Sequence, residues 1–307
     1  MSELVLPQFG IFAQGAYAHH FLEFDLHPGV TGAEAVASFR RLRVPEVSAG
    51  GVNLVIAFGA RALREVAPGL AADVAEFREV IGLDGHSAPA TPHDAWLWIS
   101  ASAPDITWEH ARAAAGAVSD VALLAAEQSC FTYQRGRDTT GFIDGTANRP
   151  VRTAAEVALV PPGKRGVGGS HVLAMRWVHD LDAFGRLAVP EQQGVIGRTK
   201  ADSVELEGSD KPPTAHIARV ETSVGGHELE IFRRSVPYGT AIEYGLYFVA
   251  FSADPSRYDR MLARMFGTGG DGVRDRLTDF SRPVSGAYYF APSLNALNEL
   301  AGPDASS

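Results

Sequence analysis

The sequence follows one plan twice, as WLWISASAPDITW at residues 96–108 and as LYFVAFSADPSRY at residues 246–258. Each stretch opens with an aromatic apolar run, passes through Ser-Ala and then reaches a Pro and an Asp. Short aromatic runs favour strands, and Pro is suited to the first turn of a helix. Two interpretations stay open: junctions between strands and helices resemble one another in many proteins, or a ferredoxin-like unit was duplicated within this chain.

The rest of the chain extends this strand–helix–strand order on both sides of a central segment. That segment, residues 149–170, is rich in Pro and Gly, and we place a domain boundary there, between residues 1–150 and 151–307. The pattern predicts an α+β fold with antiparallel sheets flanked by helices. The predicted strands are 18–26, 51–58, 95–102, 130–134, 170–179, 229–239, 244–252 and 285–292, and the predicted helices are 31–43, 104–125, 180–188 and 252–267.

The composition of the chain is that of a globular protein and argues against several other classes of protein. Of the 307 residues, 46% are hydrophobic and 21% are charged, as in ordinary globular proteins, and the net charge is −9. No basic face is evident, so we expect no nucleic-acid partner. The single cysteine, Cys130, allows no disulfide within the chain. Without a signal-like start or a long apolar run, we expect a cytoplasmic protein without a membrane partner.

Three features suggest chemistry. GFIDGTANRP, residues 141–150, places Asp144 between glycines behind an apolar pair, although an Asp-Gly turn would explain this too. His216 follows a stiff Pro-Pro pair. Arg233 and Arg234 interrupt an apolar strand, and because neighbouring residues of a strand face opposite sides, one of them would point inward and need an anion. An edge strand with both side chains in solvent is the alternative.

Five blocks in order carry a family resemblance. They are GFIDGTAN, IGRTK, PPTAHIAR, FRRSVPYG and DFSRPVSGAYYFAPS. Together they resemble the dye-decolourising peroxidases, and the compact length is similar to that of the bacterial B-type group. The resemblance implies two ferredoxin-like domains in an arrangement similar to a dimeric α+β barrel. It also implies haem b, bound mainly by the second domain, hydrogen peroxide as one substrate, and dyes, phenols or other small aromatic electron donors as the other.

The resemblance also assigns roles residue by residue. It makes His216 the iron ligand, and it places the catalytic residues Asp144 and Arg233 on the opposite, peroxide-binding side without ranking them. Asp279 would hydrogen-bond the ligand imidazole, and Arg198 would meet a haem propionate. The remaining implied residues are Ser235, Leu246 and Phe248 in the distal pocket, and Ile143, Gly145 and Thr146 against the cofactor, to which Arg233 would also belong.

Two alternatives to a peroxidase are compatible with the sequence. One is an oxidoreductase that handles porphyrinogen or haem, and the other is a haem-binding protein with little turnover. The resemblance further implies a homo-oligomer. The tail at 298–307, NELAGPDASS, lacks the apolar pattern of a peptide that docks into an encapsulin nanocompartment, so we do not expect this chain to be encapsulin cargo.

Overall fold

The computed structural model describes residues 5–42, 51–74 and 76–300. In the first half the elements are β1 Ala18–Leu26, α1 Gly32–Arg40, β2 Asn53–Phe58, α2 Ala60–Val66, α3 Pro68–Asp73, β3 Val80–Ile81, β4 Ser87–Ala88, β5 Ala95–Ala101, α4 Pro104–Ala117 and β6 Ala122–Phe131. In the second half they are α5 Val151–Ala158, β7 Ser170–His179, α6 Leu181–Gly185, α7 Val189–Ile196, α8 His216–Val220, β8 Ser223–Val224, β9 His227–Glu228, β10 Phe232–Arg233, β11 Val236–Gly239, β12 Tyr244–Ser252, α9 Ser256–Met265, β13 Ser281–Pro283, β14 Ala287–Ala291 and α10 Leu294–Leu300.

Each half forms a four-stranded antiparallel ferredoxin-like sheet. The first has the order β6-β1-β5-β2. The second has the order β14-β7-β12-β10, in which β11 continues β10 along β12 and β13 continues β14 along β7, so each pair counts as one interrupted strand. In chain order both are 4-1-3-2, which is the order that a βαββαβ unit produces. The sequence prediction of two ferredoxin-like units with antiparallel sheets is therefore confirmed.

The two sheets join and enclose a common core. β14 pairs with β2 through Phe290 and Phe58, and β11 lies beside β6 at the other edge. Buried aromatic residues from both halves fill the space between the sheets, including Phe21, Trp96 and Tyr247. Phe21 stacks on Tyr247 at 4.0 Å between ring centroids. This continuous interior matches the barrel-like arrangement that the family resemblance implied.

The strand predictions for β1, β7 and β12 agree with the structure. The strand predicted over 130–134 is wrong in its bounds, since only its first two residues belong to a strand, and one helix prediction is wrong. The helix predicted over 104–125 ends at Ala117, and residues 122–131 form β6. This Ala-rich segment has good helix formers, yet it pairs with β1 along its whole length, and the tertiary pairing overrides the local preference. The strand predicted over 229–239 is interrupted between β10 and β11. The predicted end of the first helix, residue 43, lies outside the described residues.

Candidate functional site

A cavity of about 420 Å³ lies against the outer face of the second sheet. Side chains alternate along each strand, so β7 and β12 present one set of residues to the barrel core and the other set to the cavity. Leu246 and Phe248 face the cavity, whereas Tyr247 between them is packed in the core. The helices α8 and α9 and the loop at 138–147 form the remaining walls. Every predicted site residue except Asp279 lines the cavity: Ile143, Asp144, Gly145, Thr146, Arg198, His216, Arg233, Ser235, Leu246 and Phe248.

Asp144 reaches the cavity from a tight loop. Gly141 and Gly145 both have positive φ, +87° and +75°, which glycine adopts without strain. The Gly145 amide donates a hydrogen bond to Oδ1 of Asp144 at 2.6 Å. Burial raises the pKa of Asp144, the charge of Arg233 works against this, and the charge of Asp138 raises it further. The result is a carboxyl group whose pKa lies above its ordinary value, in contact with the cavity.

Arg233 and Arg234 point to opposite sides, as expected of neighbours on a strand. The Arg233 side chain enters the cavity, and its Nε is buried without a hydrogen-bond partner among the described residues. Arg234 points into the barrel, where it donates to the carbonyls of Ile11 and Ala13 and lies over the Trp98 ring. Arg234 is therefore the inward arginine, and backbone oxygens rather than an anion satisfy it, whereas Nε of Arg233 has no hydrogen-bond partner in the described part of the chain.

Asn148 joins the loop to the arginine strand, a role that the sequence analysis missed. Its Nδ2 donates to the Arg233 carbonyl at 2.8 Å, and its Oδ1 accepts from the Arg233 amide at 3.0 Å. Close by, the Oγ of Ser235 is buried and unpartnered among the described residues. The cavity therefore contains two polar groups, on Arg233 and Ser235, whose hydrogen-bonding capacity is unused.

His216 begins the short helix α8, and its partner corrects a prediction. Nδ1 of His216 lies 2.7 Å from Oδ2 of Asp275, whose side chain is fully buried. Asp279, which we expected in this role, instead pairs with Arg274 at 2.8 Å and does not line the cavity. Both acids belong to the stretch DRLTDF, but Asp275 caps its short helical turn by accepting the Leu277 amide. That capping position directs the other carboxylate oxygen towards His216.

Arg198 lines the cavity but already has an acidic partner. Its Nη2 lies 3.1 Å from Glu205, and its Nη1 donates to the Ser203 carbonyl at 2.9 Å. The Oγ of Ser203 also lies 3.0 Å from the Oγ1 of Thr146. These contacts tie the segment around Arg198 to the Asp144 loop.

A second acid–base group lines the cavity and was missed from the sequence. Oδ1 of Asp138 lies 3.3 Å from Nε2 of His179, and Nδ1 of His179 lies 2.8 Å from Oγ of Ser281. Asp138 also accepts two hydrogen bonds from Thr140. Burial works to raise the pKa of Asp138, but the charge of His179 and these hydrogen bonds outweigh it and hold the pKa at about 2. Only contacts across three separate segments reveal this group.

Neither a ready-made metal cluster nor a membrane-spanning helix is present in the described part of the chain. Across the described ranges, no group of three or more His, Cys, Asp or Glu side chains could hold a metal ion by itself. No helix within the described part of the chain is long and apolar enough to cross a membrane. Within the described residues, His216 therefore belongs to no such cluster.

Comparison with known proteins agrees with this geometry. The model of the family "Dyp-type peroxidase, C-terminal" matches residues 135–296. A dye-decolorizing peroxidase from Mycolicibacterium paratuberculosis is 36% identical over 231 residues, 73% of this chain and 65% of that protein. Another from Rhodococcus erythropolis is 33% identical over 281 residues, 90% of this chain and 80% of that protein. This chain thus spans just under two thirds of the first relative and four fifths of the second.

Solved structures share the whole fold. A DypB variant from Rhodococcus jostii RHA1 in complex with heme has a TM-score of 0.87 at 30% identity, over 96% of this chain and 98% of that one. The encapsulated DyP-type peroxidase from Mycobacterium smegmatis has a TM-score of 0.86 at 30% identity, over 98% of this chain and 99% of that one. The similarity therefore covers both halves of the chain.

Proposed function

The chain belongs to the Dyp-type peroxidase family, and from this membership we propose that it is a haem b peroxidase. It reduces hydrogen peroxide and oxidises dyes, phenols or other small one-electron donors. The observation that carries the proposal is the cavity itself. One cavity brings together an imidazole backed by a buried carboxylate, an arginine whose Nε is buried without a hydrogen-bond partner among the described residues, and the carboxyl group of Asp144.

The residues present fit haem. The cavity volume of about 420 Å³ is in the range of cofactor sites, and its walls combine apolar side chains with few polar groups. Because Asp275 engages Nδ1 of His216, Nε2 is the nitrogen left to bind iron. The unused groups of Arg233 and Ser235 need a polar partner inside the cavity, and a peroxide molecule can supply one.

Haem, when bound, supplies the redox chemistry between a two-electron oxidant and one-electron donors. The protein supplies the ligand and its tuning. A fully buried carboxylate at 2.7 Å fixes the His216 ring and makes the imidazole a more basic ligand. Arg198, Ile143, Gly145 and Thr146 would hold the macrocycle, with the Arg198 guanidinium shared between Glu205 and a propionate.

Asp144 and Arg233 handle the peroxide. The guanidinium of Arg233 is permanently charged, so it stabilises a hydroperoxide anion and the oxygen that leaves with negative charge. The ionised carboxylate of Asp144 can accept a proton from one peroxide oxygen and return it to the other. Ser235, beside Arg233, can donate to or accept from the same molecule. Leu246 and Phe248 limit the space and leave bulky dyes to react from the cavity mouth.

Turnover of the haem-loaded protein with hydrogen peroxide and a phenolic donor tests this function. We expect Arg233→Leu to lower the rate of peroxide reduction by about 10²–10³-fold, because one preorganised charge is lost. Arg186→Leu is the matched control, since Arg186 is exposed and does not line the cavity. Haem binding without turnover in the wild-type protein would instead indicate a haem carrier.

The proposal extends to the cellular location, the oligomeric state and the domain bounds of the protein. We infer a homo-oligomer from the family resemblance. We place its domains at residues 1–150 and 151–307 because of the Pro- and Gly-rich stretch between them. We also infer that the protein is cytoplasmic, since its single cysteine allows no disulfide within the chain. We further infer that residues 298–307 do not themselves dock the chain into an encapsulin, because they lack an apolar docking pattern. The similar M. smegmatis protein is encapsulated, so this inference depends on the tail sequence alone. Residues 301–307 of that tail lie outside the described residues. Co-expression with an encapsulin shell would test it, and co-purification would contradict it.

A further inference from the structure

Asp138, His179 and Ser281 form a hydrogen-bonded line on the cavity wall. They come from the start of the Asp144 loop, from the end of β7 and from β13, and all three line the cavity. The side chains of His179 and Asp138 are 6% and 14% exposed. An acid–imidazole contact buried to this extent needs a structural or chemical reason, since burying charge is costly unless the charges are paired.

The line remains hydrogen-bonded whether His179 is charged or neutral. Charged His179 donates from Nε2 to Asp138 and from Nδ1 to Ser281, at 3.3 and 2.8 Å. Neutral His179 keeps the bond to Asp138, and the Ser281 hydroxyl turns to donate to Nδ1, because a hydroxyl can donate or accept. Thr140 adds two donors to Asp138 in both states. The imidazole can therefore carry a charge without any rearrangement of heavy atoms.

This line lies close to Asp144, because a tight turn closes the loop between Asp138 and Asp144: the Asp138 amide donates to the Phe142 carbonyl at 2.9 Å, and both acids line the cavity. Four groups influence the Asp144 carboxyl: Arg233 from β10, Asp138 from its own loop, His216 from α8 and the Gly145 amide. Asp138 is the only anion among them, and it raises the pKa of Asp144. Because His179 faces Asp138, the positive charge of a protonated His179 partly cancels the effect of the Asp138 charge on Asp144.

We propose that Asp138 and His179 are a positioning ion pair of the peroxide pocket, which sets the fraction of Asp144 that is ionised and ready to accept a proton. The inference rests on the proposed peroxidase function, because the pair serves catalysis only if Asp144 takes a proton from peroxide. The electrostatic effect of the pair on Asp144 does not depend on that function. The pair makes its contribution through Asp144 and does not touch peroxide. Ser281 holds the imidazole in place and accommodates both of its charge states.

Replacing the two members of the pair should shift the pH at which Asp144 ionises in opposite directions. His179→Gln leaves the Asp138 anion without its counter-charge, so ionisation of Asp144 moves to higher pH. Asp138→Asn removes the anion, so ionisation moves to lower pH. We expect shifts of about half a pH unit or more in each direction. A role confined to holding the loop would not produce shifts of opposite sign.

Infrared titration of the haem-loaded protein reads the Asp144 carboxyl directly. The C=O stretch of its protonated form is assigned by its absence in Asp144→Asn, and its midpoint is followed with pH in each variant. His171→Gln is the matched control, because His171 is a buried histidine of the same strand that does not line the cavity. Shifts of opposite sign, with the control unchanged, support the pair. Midpoints equal to wild type, or shifts of the same sign, overturn it.

Ser281→Ala covers the case in which the charge variants do not fold. It keeps both charges but removes the acceptor for Nδ1–H, and should shift the midpoint in the direction of His179→Gln by a smaller amount. An unchanged midpoint in this variant, with both charge variants unfolded, also overturns the pair. The acid limb of peroxide turnover should move with the infrared midpoint. Absence of wild-type turnover would reject the peroxidase function, while the infrared shifts would still decide the pair.

Discussion

The side-chain amide of Asn148 pairs with the backbone of Arg233 on both sides, donating to its carbonyl and accepting from its amide. The loop that carries Asp144 is thereby attached to the segment that carries Arg233. The two groups proposed to act on peroxide are held in register by one residue that touches neither reactive atom. Because the two hydrogen bonds are partly buried, their loss should affect both stability and reaction rate.

Replacing Asn148 with Ala should lower the free energy of unfolding by about 1–3 kcal/mol, the sum expected for two hydrogen bonds. It should also slow peroxide reduction, because Arg233 loses its fixed position relative to Asp144. Denaturant unfolding and stopped-flow mixing with peroxide measure the two effects. Asn298→Ala is the control, since Asn298 is exposed on α10 and bonds only Arg40 among the described side chains. Equal rates in both variants would show that Asn148 does not position Arg233.

Asp275→Asn and Asp279→Asn form a matched pair that tests the corrected assignment. Asn at 275 can still cap the turn, but the anion beside His216 is lost. We expect the midpoint potential of the bound haem to rise and the reaction with peroxide to slow, because a less basic imidazole stabilises high oxidation states of iron less well. Spectroelectrochemical titration checks the potential. Asp279→Asn should match wild type, and a larger shift for it than for Asp275→Asn would reverse the assignment.

The sequence predicted the site residues that lie in distinctive local blocks, and it missed those that only the fold brings together. Asp144, His216 and Arg233 each belong to a distinctive local block, so the family resemblance found them without any contact information. Asp275 and Asp279 are in one block, and only the capped turn decides which acid faces His216. Asp138 and His179 are 41 positions apart in ordinary surroundings, and only the folded chain brings them together.

The strands, too, divide into those that their local sequence predicts and those that form because of pairing with distant segments. β1, β7 and β12 have strong strand patterns, and the structure matches their predicted bounds. β6 does not, because ALLAAEQSCF favours a helix locally and becomes a strand only by pairing with β1. Local chemistry therefore predicted the elements with strong patterns, and long-range pairing determined the rest.

Asp144→Asn should slow peroxide reduction yet stabilise the folded protein at neutral pH. Burial raises the pKa of Asp144 in the folded state, so between the ordinary value and the raised one the folded protein holds more protons than the unfolded chain. Stability is then lost as pH rises through that window, and the neutral amide avoids the loss. Thermal unfolding at neutral pH should show a higher midpoint for the variant, with the rate reduced by about 10²–10⁴-fold if Asp144 is the main proton acceptor. A lower midpoint would show that the carboxylate stabilises its loop.

Two buried histidines should make the protein sensitive to acid. Burial lowers the pKa of His19 to about 3 and that of His171 to about 4, from an ordinary value of 6.5. The unfolded chain takes up protons that the folded protein refuses, so stability falls as pH drops below about 6.5 and the loss continues towards those lowered values. Denaturant unfolding between about pH 7 and about pH 5 measures the slope. His171→Gln should flatten it, and a slope equal to that of wild type would remove His171 from the explanation.

The most direct test of the central claim is a haem titration of the purified protein, followed by absorption spectroscopy before and after one equivalent of peroxide. The wild-type protein should take up one haem with the spectrum of a histidine-ligated iron, and peroxide should convert it to an oxidised form that a phenolic donor returns to the starting state. His216→Ala should lose this spectrum. Wild-type haem binding in His216→Ala, or a wild-type spectrum that peroxide leaves unchanged, would contradict the account.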